Sequence, residues 1–239
     1  MDTFADLVAR ERRSDDPALA VPDSRGYDYH RLLTTAWKTG NFLRHLGVGE
    51  GATVGVVAAP AAPPVLGFLG SALLGAGVRF DPPREVDARV LLAPGAIVGE
   101  YDLPPGGQYA SYGGAVDDPR VSHFESDVWS ENPAFPETPI PPETTALAGD
   151  RAVSRADLLD AGEAVAEARH LEAGDSVVVR APLSDPRAVA AGVVAPLVAG
   201  AEIRLDADRT GDFAVAVEDA PEKEVVRLAD VPLSFDRPN

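Results

Sequence analysis

Thr53-Val54-Gly55-Val56-Val57-Ala58 is an unbroken apolar run with β-branched residues at its centre. A strand buried on both faces reads this way, and such strands belong to parallel sheets. Pro60, Pro63 and Pro64 follow. Proline is tolerated in the first turn of a helix, so Val65 to Leu74 is expected to be helical. Val78-Arg79-Phe80 is the next strand, closed by Asp81-Pro82-Pro83, and Ala88 to Leu92 is another. Strand, helix and strand in succession make a βαβ unit.

Upstream, Thr3 to Arg13 has helical spacing, with Phe4, Leu7 and Val8 as its apolar stripe and Thr3 as a possible cap. Ala18 to Val21 is a short strand, and Gly26 to Tyr29 a turn and second strand. His30 to Leu46 is an amphipathic helix that Gly47 stops. Downstream, Pro94 to Thr145 is rich in glycine and proline and is expected to be irregular, with short strands near Ala96–Val98 and Ser122–Glu125. The alternation then returns. Ala146 to Ala148 is a strand, and Ser154 caps a helix from Arg155 to His170. Ser176 to Arg180 is a buried strand, Asp185 to Val198 a helix before Gly200, and Ala201 to Leu205 a strand. Phe213 to Val217 and Glu224 to Leu228 complete the series before a polar tail. The fold class is therefore α/β, with two parallel-rich βαβ halves. The expected organisation is residues 1–93, an irregular connection 94–144, and residues 145–239.

Of 239 residues, 38 are acidic and 21 basic, for a net charge of −17. A surface this acidic repels nucleic acid, whose binding depends on neutralising phosphates. Only Lys38 and Lys223 are lysines; the other basic residues are arginines. The acids are spread along the chain, as on a halophilic surface whose self-repulsion concentrated salt screens. Cysteine is absent, which excludes disulfides and thiolate metal sites. His30, His45, His123 and His170 have no metal-site spacing. The longest apolar stretch, Val65 to Val78, holds four glycines and is too short to cross a bilayer. Met1 to Asp6 lacks the pattern of a signal peptide, so a cytoplasmic location is expected.

Three constellations suggest chemistry and read more simply as structure. Gly47-x-Gly49-x-Gly51 follows a helix and opens a strand, the reverse of a dinucleotide loop. Asp206-x-Asp208-x-Thr210-Gly211-Asp212 resembles a calcium loop, but Val217 stands where the twelfth-position glutamate belongs. Gly106 to Gly114 is an aromatic, glycine-rich stretch expected to be a mobile surface loop. No serine, histidine and aspartate set stands out as a triad.

The order of several short motifs resembles the adenylate-forming superfamily of acyl-CoA synthetases. Tyr27-Asp28-Tyr29-His30-Arg31-Leu32 stands where that family has a tyrosine-x-glutamate-leucine motif. Leu46-Gly47-Val48-Gly49-Glu50-Gly51-Ala52 matches its leucine-glycine-valine turn, apart from Ala52 at the usual aspartate. Leu73 to Pro82 matches its leucine-x-alanine-glycine-alanine stretch. In the second half, Ala152 to Leu159 resembles the segment after the family's phosphate loop. Ala181-Pro182-Leu183 and Val194 to Ala201 are similar to elements that follow it. The phosphate loop itself is a hydroxyl- and glycine-rich segment ending in proline-lysine-glycine. Here Ala148 passes through Gly149 and Asp150 to Arg151. Thr144 and Thr145 precede the strand instead of following it. The family's tyrosine-glycine-x-threonine-glutamate motif, its ribose-binding aspartate and its catalytic lysine have no counterpart either, and Lys223 sits in an acidic setting.

The resemblance therefore implies the fold of the family's N-terminal subdomains with no catalytic residue, no metal site and no cofactor. It leaves sheet edges and apolar faces uncovered, which favours a homodimer or another protein chain as partner. The enzymatic alternative is an acyl or nucleotide ligand in a remnant cleft, or one half of a split ligase. Neither nucleic acid nor membrane is an expected partner.

Overall fold

The structure, a computed structural model, describes residues 3–22, 24–134 and 139–233. In chain order the strands are β1 (Pro17–Ala20), β2 (Tyr27–Asp28), β3 (Thr53–Val56), β4 (Gly77–Phe80), β5 (Val90–Pro94), β6 (Gln108–Tyr112), β7 (Val121–His123), β8 (Thr145–Leu147), β9 (Val153–Ser154), β10 (Ser176–Val179), β11 (Glu202–Arg204), β12 (Phe213–Ala216) and β13 (Glu224–Arg227). The helices are α1 (Tyr29–His45), α2 (Ala62–Leu73), α3 (Phe124–Ser130), α4 (Arg155–Arg169), α5 (Pro186–Val189) and α6 (Ala195–Ala199). The chain divides into two units, residues 33–152 and residues 1–32 with 153–239.

In the 33–152 unit the strand order is β7-β6-β5-β3-β4-β8. Pairings from β7 to β8 are parallel. β3 is interior, with Val54 and Val56 fully buried, which is why its sequence is apolar without alternation. α2 crosses from β3 to β4, and every one of its residues is buried. Pro63 and Pro64 occupy its first turn, where their missing N–H groups leave no helical bond unmade. A Cβ on Gly70 would lie 2.9 Å from the backbone nitrogen of Gly40, so glycine is what lets α2 approach α1. Leu66, Phe68 and Leu69 are almost completely buried, each contributing about 1.5–3 kcal/mol.

The expectation of an irregular 94–144 segment is corrected here. Its described residues supply β6 and β7, which extend the sheet beside β5, and α3. β7 overlaps the strand expected near Ser122–Glu125, whereas β6 was not expected. The strand expected near Ala96–Val98 is absent: a turn there leads into a 3-10 helix, Val98–Glu100. Residues 135–138, part of the proline-rich run, lie outside the described residues, as does the polar tail from 234.

In the other unit the order is β13-β12-β10-β11-β1-β2. All pairings are parallel except the β1–β2 hairpin. β1 pairs with β11 through Leu19↔Ile203, so the N-terminal residues belong with the C-terminal half. A boundary at 93 is replaced by boundaries near 32 and 152 for this reason. Ser154 caps α4 as read: its hydroxyl accepts the Asp157 N–H at 3.0 Å. The helix expected from Asp185 to Val198 is α5, a π-helical turn over Ala190–Val194, and α6. Pro196 explains the wide turn. Proline cannot donate, and its ring crowds the carbonyl four residues earlier; a π turn relieves both. Gly200 ends α6 at φ 78°. The last carbonyls, of Leu197 and Val198, accept the Arg12 guanidinium, and the Tyr29 hydroxyl donates to Ala201 at 2.8 Å. The helix expected over Thr3–Arg13 is two 3-10 turns split at extended Ala9, with Arg12 docked on this helix end.

Candidate functional site

Parallel α/β sheets bind ligands outside the carboxyl ends of their strands, where successive crossovers leave in opposite directions. Each unit has one such place. In the 33–152 unit it lies at β3 and β5, because the chain steps from β3 to β4 and then returns across β3 to β5. Asp81 sits there in the left-handed region at φ 45°, a conformation that aspartate tolerates better than most residues. Its carboxylate accepts the Ala58 N–H at 2.7 Å. The Glu125 carboxylate accepts the Gly113 N–H at 2.8 Å. The Tyr112 hydroxyl donates to the Val57 carbonyl at 2.6 Å. Burial, then the nearby Asp81 and Glu125, push its pKa well above the usual value. Pro63 and Pro64 remove two donors from the start of α2. Two loop amides of the kind that serve anions in such folds are thus held by the protein's own carboxylates, and two helix-start amides are replaced by proline.

The Ala148–Arg151 junction differs. The Ala148 N–H donates to the Val78 carbonyl at 2.7 Å, and a bend at Gly149–Arg151 follows. The Asp150 side chain is 99% exposed and stands 3.5 Å from Arg79. A Cβ on Gly149 would meet only the Arg151 carbonyl, at 3.7 Å, so nothing crowds this glycine into a cradle. Ala152 and β9 intervene before α4. The Ser154 hydroxyl is spent on Asp157.

In the other unit the corresponding place is the end of β10, since β11 and β12 flank it on opposite sides. Arg180 follows β10. It donates to both oxygens of Glu222, at 3.0 and 2.6 Å, to the Ala207 carbonyl at 2.7 Å and to the Arg209 carbonyl at 3.1 Å. The Glu222 side chain is completely buried. Its bond to Arg180 holds its carboxyl below the ordinary value. Sequence reading missed this pair, which is separated by 42 residues. The only local signal was an arginine ending an apolar strand.

The other sequence candidates fall into structural roles. Gly47 and Gly51, at φ 83° and 74°, shape the turn between α1 and β3. Asp206 binds Arg204 at 2.7 Å, and Asp212 accepts from the Ser176 N–H and hydroxyl. Among the described residues no group of three or more histidines or acids could hold a metal ion. Gly106 to Gly114 is not a mobile loop: it contains β6, with Ala110, Ser111 and Tyr112 buried. Ser111 and His123 do meet, at 3.4 Å, but Ser111 is fully buried and Asp127 accepts from the His123 backbone instead of its ring. That is strand pairing and not a triad. Lys223 is exposed, as expected. Among the described residues no helix is long and apolar enough to cross a membrane.

The sequence matches no family model and no curated protein. The fold does match solved structures. It is similar to the anthranilate CoA ligase AuaEII in complex with anthranoyl-AMP, with TM-score 0.73 and 17% identity over 90% of this chain and 49% of that one. A benzoate CoA ligase from Burkholderia xenovorans LB400 aligns with TM-score 0.72 and 19% identity, over 90% and 50% of the two chains. VinN in complex with L-aspartate gives TM-score 0.73 and 17% identity, over 89% and 66%. This chain spans about half the length of the first two. Its architecture is that of the N-terminal subdomains of adenylate-forming enzymes, as the order of its motifs anticipated.

Proposed function

We propose that this chain is a non-catalytic protein of the adenylate-forming fold that acts by binding a protein partner, either a second copy of itself or another chain. One observation carries the reading. The Ala148–Arg151 bend, where the resemblance places a phosphate-wrapping loop, offers an exposed carboxylate at Asp150 and no cluster of hydroxyls. A polyphosphate there would meet repulsion. The charge of −17, with 19 arginines and two lysines, supports a halophilic cytoplasmic setting. Light scattering in molar salt is expected to give a dimer, or a co-purifying chain; a lone monomer at tens of micromolar contradicts the partner reading. Circular dichroism is expected to fall on dilution into low salt, and an unchanged spectrum contradicts the halophilic one.

A second reading, half of a split ligase or a carrier of an acyl or adenylate ligand, draws on the chain's spanning about half of the ligases it matches. Pyrophosphate exchange on mixing with a complementary chain would establish it in place of the first.

A further inference from the structure

β11 is an interior strand, paired with β10 on one side and β1 on the other. Interior parallel strands are normally apolar on both faces. β11 is not. Ile203 is fully buried on one face, while Glu202 and Arg204 share the other. Asp206 continues that row. The Arg204 guanidinium donates to Glu202 at 3.2 Å and to Asp206 at 3.1 and 2.7 Å. These three side chains are only 12–19% exposed. Half-buried charge of this kind costs free energy that an apolar row would not. On the same face Ala20 of β1 stands opposite Arg204 and leaves the space open.

That space is a groove of about 920 Å³ that runs along β1 and β11 and past their carboxyl ends. Its size is in the range of small-molecule sites. The row from Glu202 to Asp206 forms one wall. The β1–β2 hairpin and the start of α1 form another, where the Arg31 guanidinium lies 4.1 Å from the Tyr27 ring centroid. Arg31 also donates to the Gly26 carbonyl at 2.9 Å, which fixes it in place. Arg25, Asp15 and Asp208 line the groove too, and among the described residues they have no hydrogen-bond or ion-pair partner. Among the described residues, groups of both signs without a partner thus line one cavity, in a chain whose net charge is strongly negative.

We infer that this groove binds a small zwitterion, its carboxylate toward Arg25 and its ammonium toward Asp208 and the Glu202–Asp206 row. A simple anion would face the acidic wall unmatched, and a simple cation would leave Arg25 unmatched. Burial pushes the Glu202 carboxyl above its ordinary value. A ligand ammonium beside it offsets that penalty.

The test is calorimetric titration of the whole chain with glycine and 4-aminobutyrate, and in parallel with acetate and methylammonium. At least one zwitterion is expected to bind about tenfold more tightly than either fragment, a difference of about 1.4 kcal/mol. Arg25→Ala and Asp208→Asn, both exposed and away from the core, are each expected to weaken that binding about tenfold with the circular dichroism unchanged. Acetate or methylammonium binding as tightly as the zwitterions overturns the inference. So does no binding by any probe, or binding that Arg25→Ala leaves unaltered.

Discussion

The two units solve one problem with different chemistry. Both are parallel sheets whose chain reverses direction across an interior strand, and both must close the opening left at the carboxyl ends. The 33–152 unit closes it with apolar packing and short carboxylate-to-amide bonds, Asp81 to Ala58 and Glu125 to Gly113. The other unit closes it with a guanidinium, Arg180 on Glu222, and carries a second, Arg204 on its two acids, along the groove beside β1. The first solution leaves little to recognise a ligand. The second keeps charge inside a groove, at a cost in stability, which is why the proposed small-molecule site lies there.

The largest expected effect falls on the second solution. Glu222→Ala leaves Arg180 half-buried with only two carbonyl acceptors and is expected to cost about 3 kcal/mol. Both tryptophans, Trp37 and Trp129, lie in the 33–152 unit. Denaturation followed by circular dichroism should therefore move to lower denaturant more than denaturation followed by tryptophan fluorescence. Equal movement would break the comparison between separately built units. The pH dependence sharpens it. Glu222 titrates below its ordinary 4.5 in the folded protein, so its contribution is full above that value and lost as pH falls through the folded one. The stability gap between the wild type and Glu222→Gln should shrink below pH 4.5.

On the apolar side, Gly70→Ala forces a methyl against the α1 backbone and is expected to cost about 1–3 kcal/mol, read by tryptophan fluorescence. Gly49→Ala, where nothing lies within 4 Å, serves as the control and should be close to neutral. A harmless Gly70→Ala would mean that the two helices have room to part. The smallest effect is at the cap of α4. Ser154→Ala removes the acceptor for the Asp157 N–H and should cost about 1 kcal/mol by circular dichroism.

What sequence could reveal followed the range of the interactions involved. The run at Thr53–Ala58, the cap at Ser154 and the stops at Gly47 and Gly200 depend on neighbours a few residues away, and each stands where it was read. β6 was hidden because Gln108–Tyr112 mixes polar and aromatic residues between glycines, and only pairing with β5 makes it a strand. The π turn answers a proline two residues beyond it, which composition does not announce. The burial of Glu222 depends on an arginine 42 residues away, so an acidic, proline-flanked stretch concealed a closed ion pair. Of the sites, the Ala148–Arg151 bend was legible because its chemistry is local. The groove was not, because it is assembled from segments almost two hundred residues apart.

The central proposal is that this chain, with the architecture of the N-terminal subdomains of adenylate-forming enzymes, does not grip phosphate. Titration calorimetry with ATP and magnesium on the whole chain, in salt that keeps it folded, tests it most directly. The predicted result is no saturable heat up to millimolar nucleotide. A saturable isotherm that Asp150→Asn strengthens or Arg79→Ala abolishes would place a working phosphate site at that bend and contradict the account.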